Sequence, residues 1–218
     1  MKYKAVIFDL DGTLLDTLND LLDNLEDAFK SLNLKGDFTR EEMESFIGSG
    51  KKAQVERALL ARGYSLDLYE KLNAALTIRY ELNAVNKTRP FAGVIELLEF
   101  LKAQAIPALC LTNKPHDVAL EVVQNYFPNL ILATYGVKPD GFVKPHPSLV
   151  ETVLKTYNLN HKEVLYVGDS DVDMLTANNG KLDAVFVTWG YVRYKVVAHL
   201  KPKFVVDNPQ EIVDIVKG

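Results

Sequence analysis

The sequence predicts an α/β protein: an open, mostly parallel sheet interrupted by an all-helical insert. Three observations carry this. Short runs along the chain are apolar throughout rather than alternating, as in strands covered on both faces. Segments with apolar residues three and four positions apart lie between those runs. The stretch 18–87 shows helical periods and no convincing strand.

The first run is Ala5–Phe8. Next come 108–111, a weaker run at 130–133, then 164–167, 184–187 and a short edge at 204–206. Helical periods fall at 94–103, 117–126, 148–157 and 209–216. Strands alternating with helices imply right-handed crossovers. The insert carries helical patterns at 18–32, 40–47, 52–62 and 66–84, and Thr39 with Glu42 forms a capping-box signature ahead of the second. Residues 1–16 and 89–218 are therefore expected to form the α/β core, and 17–88 the insert.

Composition excludes several classes. A 48% hydrophobic chain of 218 residues has material for a core, unlike a disordered chain. A net charge of -4 gives no basic field for nucleic acid. No stretch approaches the roughly 20 apolar residues that cross a bilayer, and the apolar run near the N-terminus is too short for a signal peptide. The single cysteine, Cys110, lies in an apolar run and reads as core. These points lead to an expectation of a cytoplasmic protein, monomeric or homodimeric, with no membrane or nucleic-acid partner.

Four stretches carry chemistry. Asp9-Leu10-Asp11-Gly12-Thr13 follows the first run, where open α/β sheets bind ligands. Two carboxylates leaving a buried strand are costly without compensation, and a divalent cation with hard oxygen ligands compensates them. Gly12 permits a tight turn that aims backbone amides at an anion. Thr112-Asn113-Lys114-Pro115 places a hydroxyl and amides where a helix opens, which suits a phosphate. Lys144-Pro145 precedes another helix, and Gly168-Asp169-Ser170 through Asp173 adds carboxylates after the 164–167 run. A parallel sheet brings all four to one edge, a kit suited to phosphoryl transfer.

In this order, the four stretches resemble the motifs of the haloacid dehalogenase superfamily, over essentially the whole chain. The resemblance implies a Rossmann-like core with 17–88 as a type-one cap. Within the superfamily, Thr112-Asn113-Lys114-Pro115, Phe46-Ile47-Gly48-Ser49-Gly50 and Thr188-Trp189-Gly190-Tyr191 are similar to phosphoglycolate phosphatases. The resemblance implies Asp9 as nucleophile and Mg2+ ligand. Asp11 is implied as general acid and then base, binding the metal through its carbonyl. Thr112 and the Asn113 amide hold the phosphoryl group, and Lys144 neutralises charge. Asp169 binds the metal, and Asp173 supports the metal shell or Lys144. The implied reaction is magnesium-dependent hydrolysis of a small phosphate ester through an aspartyl phosphate, with phosphoglycolate as leading substrate. A carboxyl at position 11 favours an alkoxide leaving group, which needs a proton, over halide.

Lys138-Pro139 offers a second Lys-Pro pair, and Lys144 is preferred because a helix follows it. Lys51 and Lys52, after Gly48-Ser49-Gly50, stand between a carboxylate-reading role and an ordinary helix start. Asp173 is open to a plain capping role, and Trp189 and Tyr191 to aromatic packing. Three alternatives share the fold: a β-phosphoglucomutase-like mutase, disfavoured because 16–20 holds no histidine, a phosphonate hydrolase using a cap lysine, and a non-catalytic binding protein.

Overall fold

The computed structural model describes residues 1–82 and 86–218, with side chains described outside 81–85. Six strands form one sheet: β1 (Ala5–Phe8), β4 (Ala108–Pro115), β5 (Ala133–Val137), β6 (Val164–Gly168), β7 (Asp183–Val187) and β8 (Phe204–Val206). Their order is β5-β4-β1-β6-β7-β8, and every neighbouring pair is parallel. From β1 the chain moves outward through β4 and β5, then returns to the other side of β1 at β6. Beyond the carboxyl ends of β1 and β6 lies the topological switch point, where such sheets bind ligands.

Apolar continuity along the strands has a direct structural reason. Val6, Phe8, Cys110, Leu165, Val167, Val185 and Val187 belong to one core layer. It packs on α5 (Val94–Ala103), α6 (His116–Tyr126) and α10 (Pro209–Lys217). Alternate residues Ala5, Ile7, Leu109, Leu111, Val164, Tyr166 and Phe186 belong to a second layer on the other face. That layer packs on α7 (Ser148–Thr156), α8 (Asp171–Asn179) and α9 (Tyr194–Val197).

The helical insert has a core of its own. It comprises α1 (Leu18–Ser31), α2 (Arg40–Phe46), α3 (Gly50–Ala61) and α4 (Tyr69–Leu82), around buried Leu25, Phe29, Phe38, Met43, Leu59 and Leu76. Phe29 meets Phe38 edge-on at 5.0 Å, and Phe38 meets Phe46 at 5.5 Å. The insert joins the core through a two-stranded antiparallel neck, β2 (Leu15–Asp16) with β3 (Arg89–Pro90). The predicted capping box forms: Thr39 Oγ1 accepts from Glu42 N, and Glu42 Oε2 accepts from Thr39 N.

Three differences from the sequence reading have physical causes. The run at 130–133 is not a strand as a whole. Asn129 turns with φ 62°, Leu130 and Ile131 pack on the core from that turn, and pairing begins at Ala133 against Leu109. Helix α8, which the sequence suggests only through a capping role for Asp173, shows no apolar period because its stripe is broken by buried polar residues, Asp173 and Thr176. The last insert helix ends at Leu82, and the remainder of the 66–84 pattern lies outside the described residues.

Candidate active site

Register explains the convergence. Phe8 pairs with Cys110 on one side and Val167 on the other, so the residues that follow each strand emerge together. Asp9 continues the ladder, its amide donating to Val167 O at 3.0 Å, and its side chain is buried. The chain then folds back on itself: the amides of Leu14 and Leu15 donate to Leu10 O at 3.0 Å. Gly12 sits in this turn with φ +91°, and a Cβ there would overlap the Asp169 carboxylate. Both constraints demand glycine.

Lys144 is fully engaged. Its Nζ donates to Asp9 Oδ1 at 2.7 Å and to Asp173 Oδ1 at 2.8 Å. Its backbone is clamped by Asn113, whose Oδ1 accepts from Lys144 N at 2.7 Å and whose Nδ2 donates to Lys144 O at 3.1 Å. Of the two Lys-Pro pairs, Lys144 is the one brought to Asp9, and Lys138 is exposed. Asp173 does two things at once. Its Oδ2 accepts from Ser170 N and Oγ, completing a capping box for α8, while Oδ1 holds Lys144 and accepts from Tyr166 Oη at 3.1 Å.

Asp169 leaves the end of β6 and is held by three neighbours. Its Oδ1 accepts from Thr13 Oγ1 at 3.2 Å and its Oδ2 from Tyr191 N at 2.8 Å. On the third side is Gly190, where a Cβ would overlap the Asp169 side chain. Trp189 packs on the core and donates Nε1 to Thr13 O at 3.1 Å. The sequence offers Trp189 and Tyr191 as aromatic packing residues; the segment Trp189-Gly190-Tyr191 also positions Asp169.

Asp9, Asp169 and Asp173 present carboxylate oxygens within 4.8 Å of one another, all buried. Burial, reinforced by the Asp173 charge, pushes the Asp9 carboxyl up to about 7 despite Lys144. Burial also holds Asp169 well above the usual carboxylate range, with Asp173 and Asp9 adding to the effect. For Lys144 burial acts in the opposite sense, but Asp173 and Asp9 outweigh it and keep the ammonium well above its ordinary value. Three buried carboxylates around one ammonium leave uncompensated negative charge. An all-oxygen donor set cradled by glycines fits a magnesium ion. Asp9 and Asp169 are the better placed ligands, since each Asp173 oxygen already accepts two hydrogen bonds, whereas each Asp169 oxygen accepts one among the described residues.

Asp11 stands apart from this cluster. Both its oxygens accept from Lys114 Nζ, at 3.0 and 3.1 Å. Lys114 is a residue the sequence reading quoted but gave no role; only the fold brings it to Asp11. Thr112 is buried within the carboxyl half of β4, and its Oγ1 accepts from Lys114 N at 3.2 Å.

A cavity of about 50 Å³ opens over these groups. Asp9, Asp11, Thr112, Asn113, Lys114 and Lys144 line it from the sheet edge, and Ile47, Gly48, Lys51, Gln54 and Tyr80 from the insert. Asn113 Nδ2 also donates to Gly48 O at 3.1 Å, tying insert to core at the rim. The structure separates the two candidate lysines. Lys51 lines the cavity, its Nζ donating to Thr77 Oγ1 at 2.5 Å. Lys52 does not: its side chain is 75% exposed and faces Glu56 one turn on. One position along a helix rotates a side chain by about 100°, enough to take it off the cavity face.

Residues 6–187 match the family model for haloacid dehalogenase-like hydrolases. A phosphoglycolate phosphatase of Mesorhizobium japonicum is 31% identical, over 95% of this chain and 92% of its own. One from Photobacterium profundum is 29% identical, over 98% and 96%. A crystal structure of a predicted phosphoglycolate phosphatase from Haemophilus somnus superposes with a TM-score of 0.90 at 28% identity, covering 99% of both chains.

Proposed function

The chain belongs to the haloacid dehalogenase-like hydrolase family, and from that premise we propose that it is a cytoplasmic magnesium-dependent phosphatase for a small phosphate monoester, with phosphoglycolate as leading substrate. The observation that carries this is the buried Asp9 carboxylate, held at 2.7 Å by Lys144 on the floor of a small cavity, with Asp11 beside it. The names of the relatives support the substrate.

In the first half-reaction an Asp9 oxygen attacks phosphorus and the ester P–O bond breaks. The Asp11 carboxyl gives its proton to the departing alkoxide. In the second, Asp11 takes a proton from water as that water attacks phosphorus. The bond to Asp9 breaks, restoring its carboxylate and releasing inorganic phosphate. Thr112 Oγ1 and the Asn113 amide hold the phosphoryl oxygens, and Lys144 offsets charge at the nucleophile. Magnesium held by Asp9, Asp169 and the Asp11 carbonyl, with Asp173 behind, would neutralise charge on the transferring group. The insert 17–88 acts as the cap that keeps bulk water from this site.

Phosphate release from a panel of small esters, with magnesium and with chelator, tests the reading. Magnesium-dependent release led by phosphoglycolate supports both parts. Release spread over other esters keeps the chemistry and overturns the substrate. No release from any ester overturns both. Asp9→Asn should lower turnover by at least ~10³-fold with the fold unchanged by circular dichroism. Among the described residues no histidine lines the cavity, which speaks against a mutase with an acid–base histidine. Lys51 at the cavity favours one second reading, phosphonate cleavage through a lysine imine. Lys51→Arg would abolish imine chemistry and spare ester hydrolysis.

A further inference from the structure

Gln54, on α3, is 5% exposed and lines the cavity from the cap side. Its Oε1 accepts from the Tyr80 hydroxyl at 2.7 Å, and Tyr80 is itself buried on α4. The other end of the same amide, Nε2, is buried without a hydrogen-bond partner among the described residues. A buried N–H without an acceptor is costly, and folded proteins rarely keep one without use. With the oxygen end of the amide on Tyr80, the donor end is left for something else. Lys51 brings an ammonium group to the same cavity, and Lys114 a second one paired with Asp11. Donor and cations together call for a ligand whose far end is an anionic oxygen acceptor.

We propose that Gln54, its amide oriented by Tyr80, is the specificity residue that donates to the carboxylate of a short phosphorylated hydroxy acid while Asp9 faces its phosphorus. This rests on the phosphatase reading of the Asp9 site. The role falls to an uncharged donor for a physical reason. A further cation would also attract inorganic phosphate, whereas an amide adds direction without adding charge.

The test compares two esters of one carbon skeleton, phosphoglycolate and ethyl phosphate, in wild type, Gln54→Leu, Gln54→Glu and Tyr80→Phe. The readout is the ratio of their kcat/KM values. Gln54→Leu is expected to reduce that ratio about 10- to 100-fold, chiefly through KM for phosphoglycolate. Gln54→Glu, which sets like charge against the carboxylate, should reduce it further, and Tyr80→Phe by a smaller factor. Thermal melting should show Gln54→Leu close to wild type, because the removal of an orphaned donor offsets the loss of the Tyr80 hydroxyl's acceptor. Calorimetric titration of phosphoglycolate into Asp9→Asn and Asp9→Asn/Gln54→Leu proteins reads the same contact without turnover, and the second should bind about 10-fold or more weakly.

Equal losses on both esters would make Gln54 a packing residue and overturn the proposal. An unchanged ratio in both Gln54 variants would do the same while leaving the phosphatase reading intact. If wild type itself showed no preference for phosphoglycolate, the substrate reading would fall and this inference with it. No phosphate release from either ester would remove the catalytic reading beneath both.

Discussion

Lys144 holds two carboxylates with one ammonium and is held in turn by Asn113 through both ends of its amide. Removing one member of a buried charged set strands the others, so Lys144→Met should cost about 3–5 kcal/mol of stability as well as activity. Asp173→Asn separates positioning from chemistry: it keeps the shape but loses the charge that aims Lys144. Turnover should fall roughly 10- to 100-fold, and steady-state kinetics would show the loss in kcat rather than KM. Lys114 gives a sharper test of Asp11, because it fixes both oxygens of that carboxyl. In Lys114→Met, esters with alkyl leaving groups should lose about 10-fold or more activity relative to aryl phosphates, which leave with little need of a proton. Equal losses would mean that Lys114 merely fills space.

At the scale of elements, the cap stands on its own aromatic cluster and on a capped α2. Thr39→Ala should cost about 1 kcal/mol, read by denaturant midpoint. Glu42 shares that cap and is paired with Arg62 at 2.7 Å; the Arg62 hydrogen bond and the Thr39 amide lower its carboxyl to about 2. A depressed carboxyl contributes stability above its unfolded value, near 4.5, and loses it as pH falls toward about 2. Acid melting of wild type should therefore be steeper between those values than that of Glu42→Gln. Phe29 is fully buried in the cap core, and Phe29→Ala should destabilise by about 3–5 kcal/mol. Because the cap's cluster is separate from the two sheet layers, the loss should appear first as amide exchange within α1–α4.

At the scale of the whole molecule, the ends of β1 and β6 gather uncompensated negative charge. Without metal, Asp9 binds its proton more tightly folded than unfolded, so stability from this site falls as pH rises from about 4 toward about 7. A bound cation removes that penalty. The gain in Tm on adding magnesium should thus grow across the same window and be small in Asp169→Asn. Gly190→Ala tests the cradle: the added methyl displaces Asp169, and the magnesium-dependent Tm gain should shrink with it. An equal gain at all pH values would count against Asp9 and Asp169 as the cation's ligands.

Much of this was legible in the chain itself. Apolar runs such as Ala5–Phe8 and 164–167 can be covered on both faces only in a parallel sheet. Such a sheet places Asp9, Thr112, Lys144 and Asp169 at one edge whatever its details. The insert announced itself by helical period and by Thr39 with Glu42. Other features depended on packing. Whether Lys51 or Lys52 meets the cavity is set by the rotation of α3 against the core, and no local pattern encodes that angle. Lys114 on Asp11, Gly190 against Asp169 and the orphaned amide of Gln54 are contacts between residues far apart in sequence. Sequence determined which chemical groups reach the edge of the sheet, because strand period and register are local rules. Tertiary structure alone decided which groups touch, because contact depends on how separately folded layers close on one another.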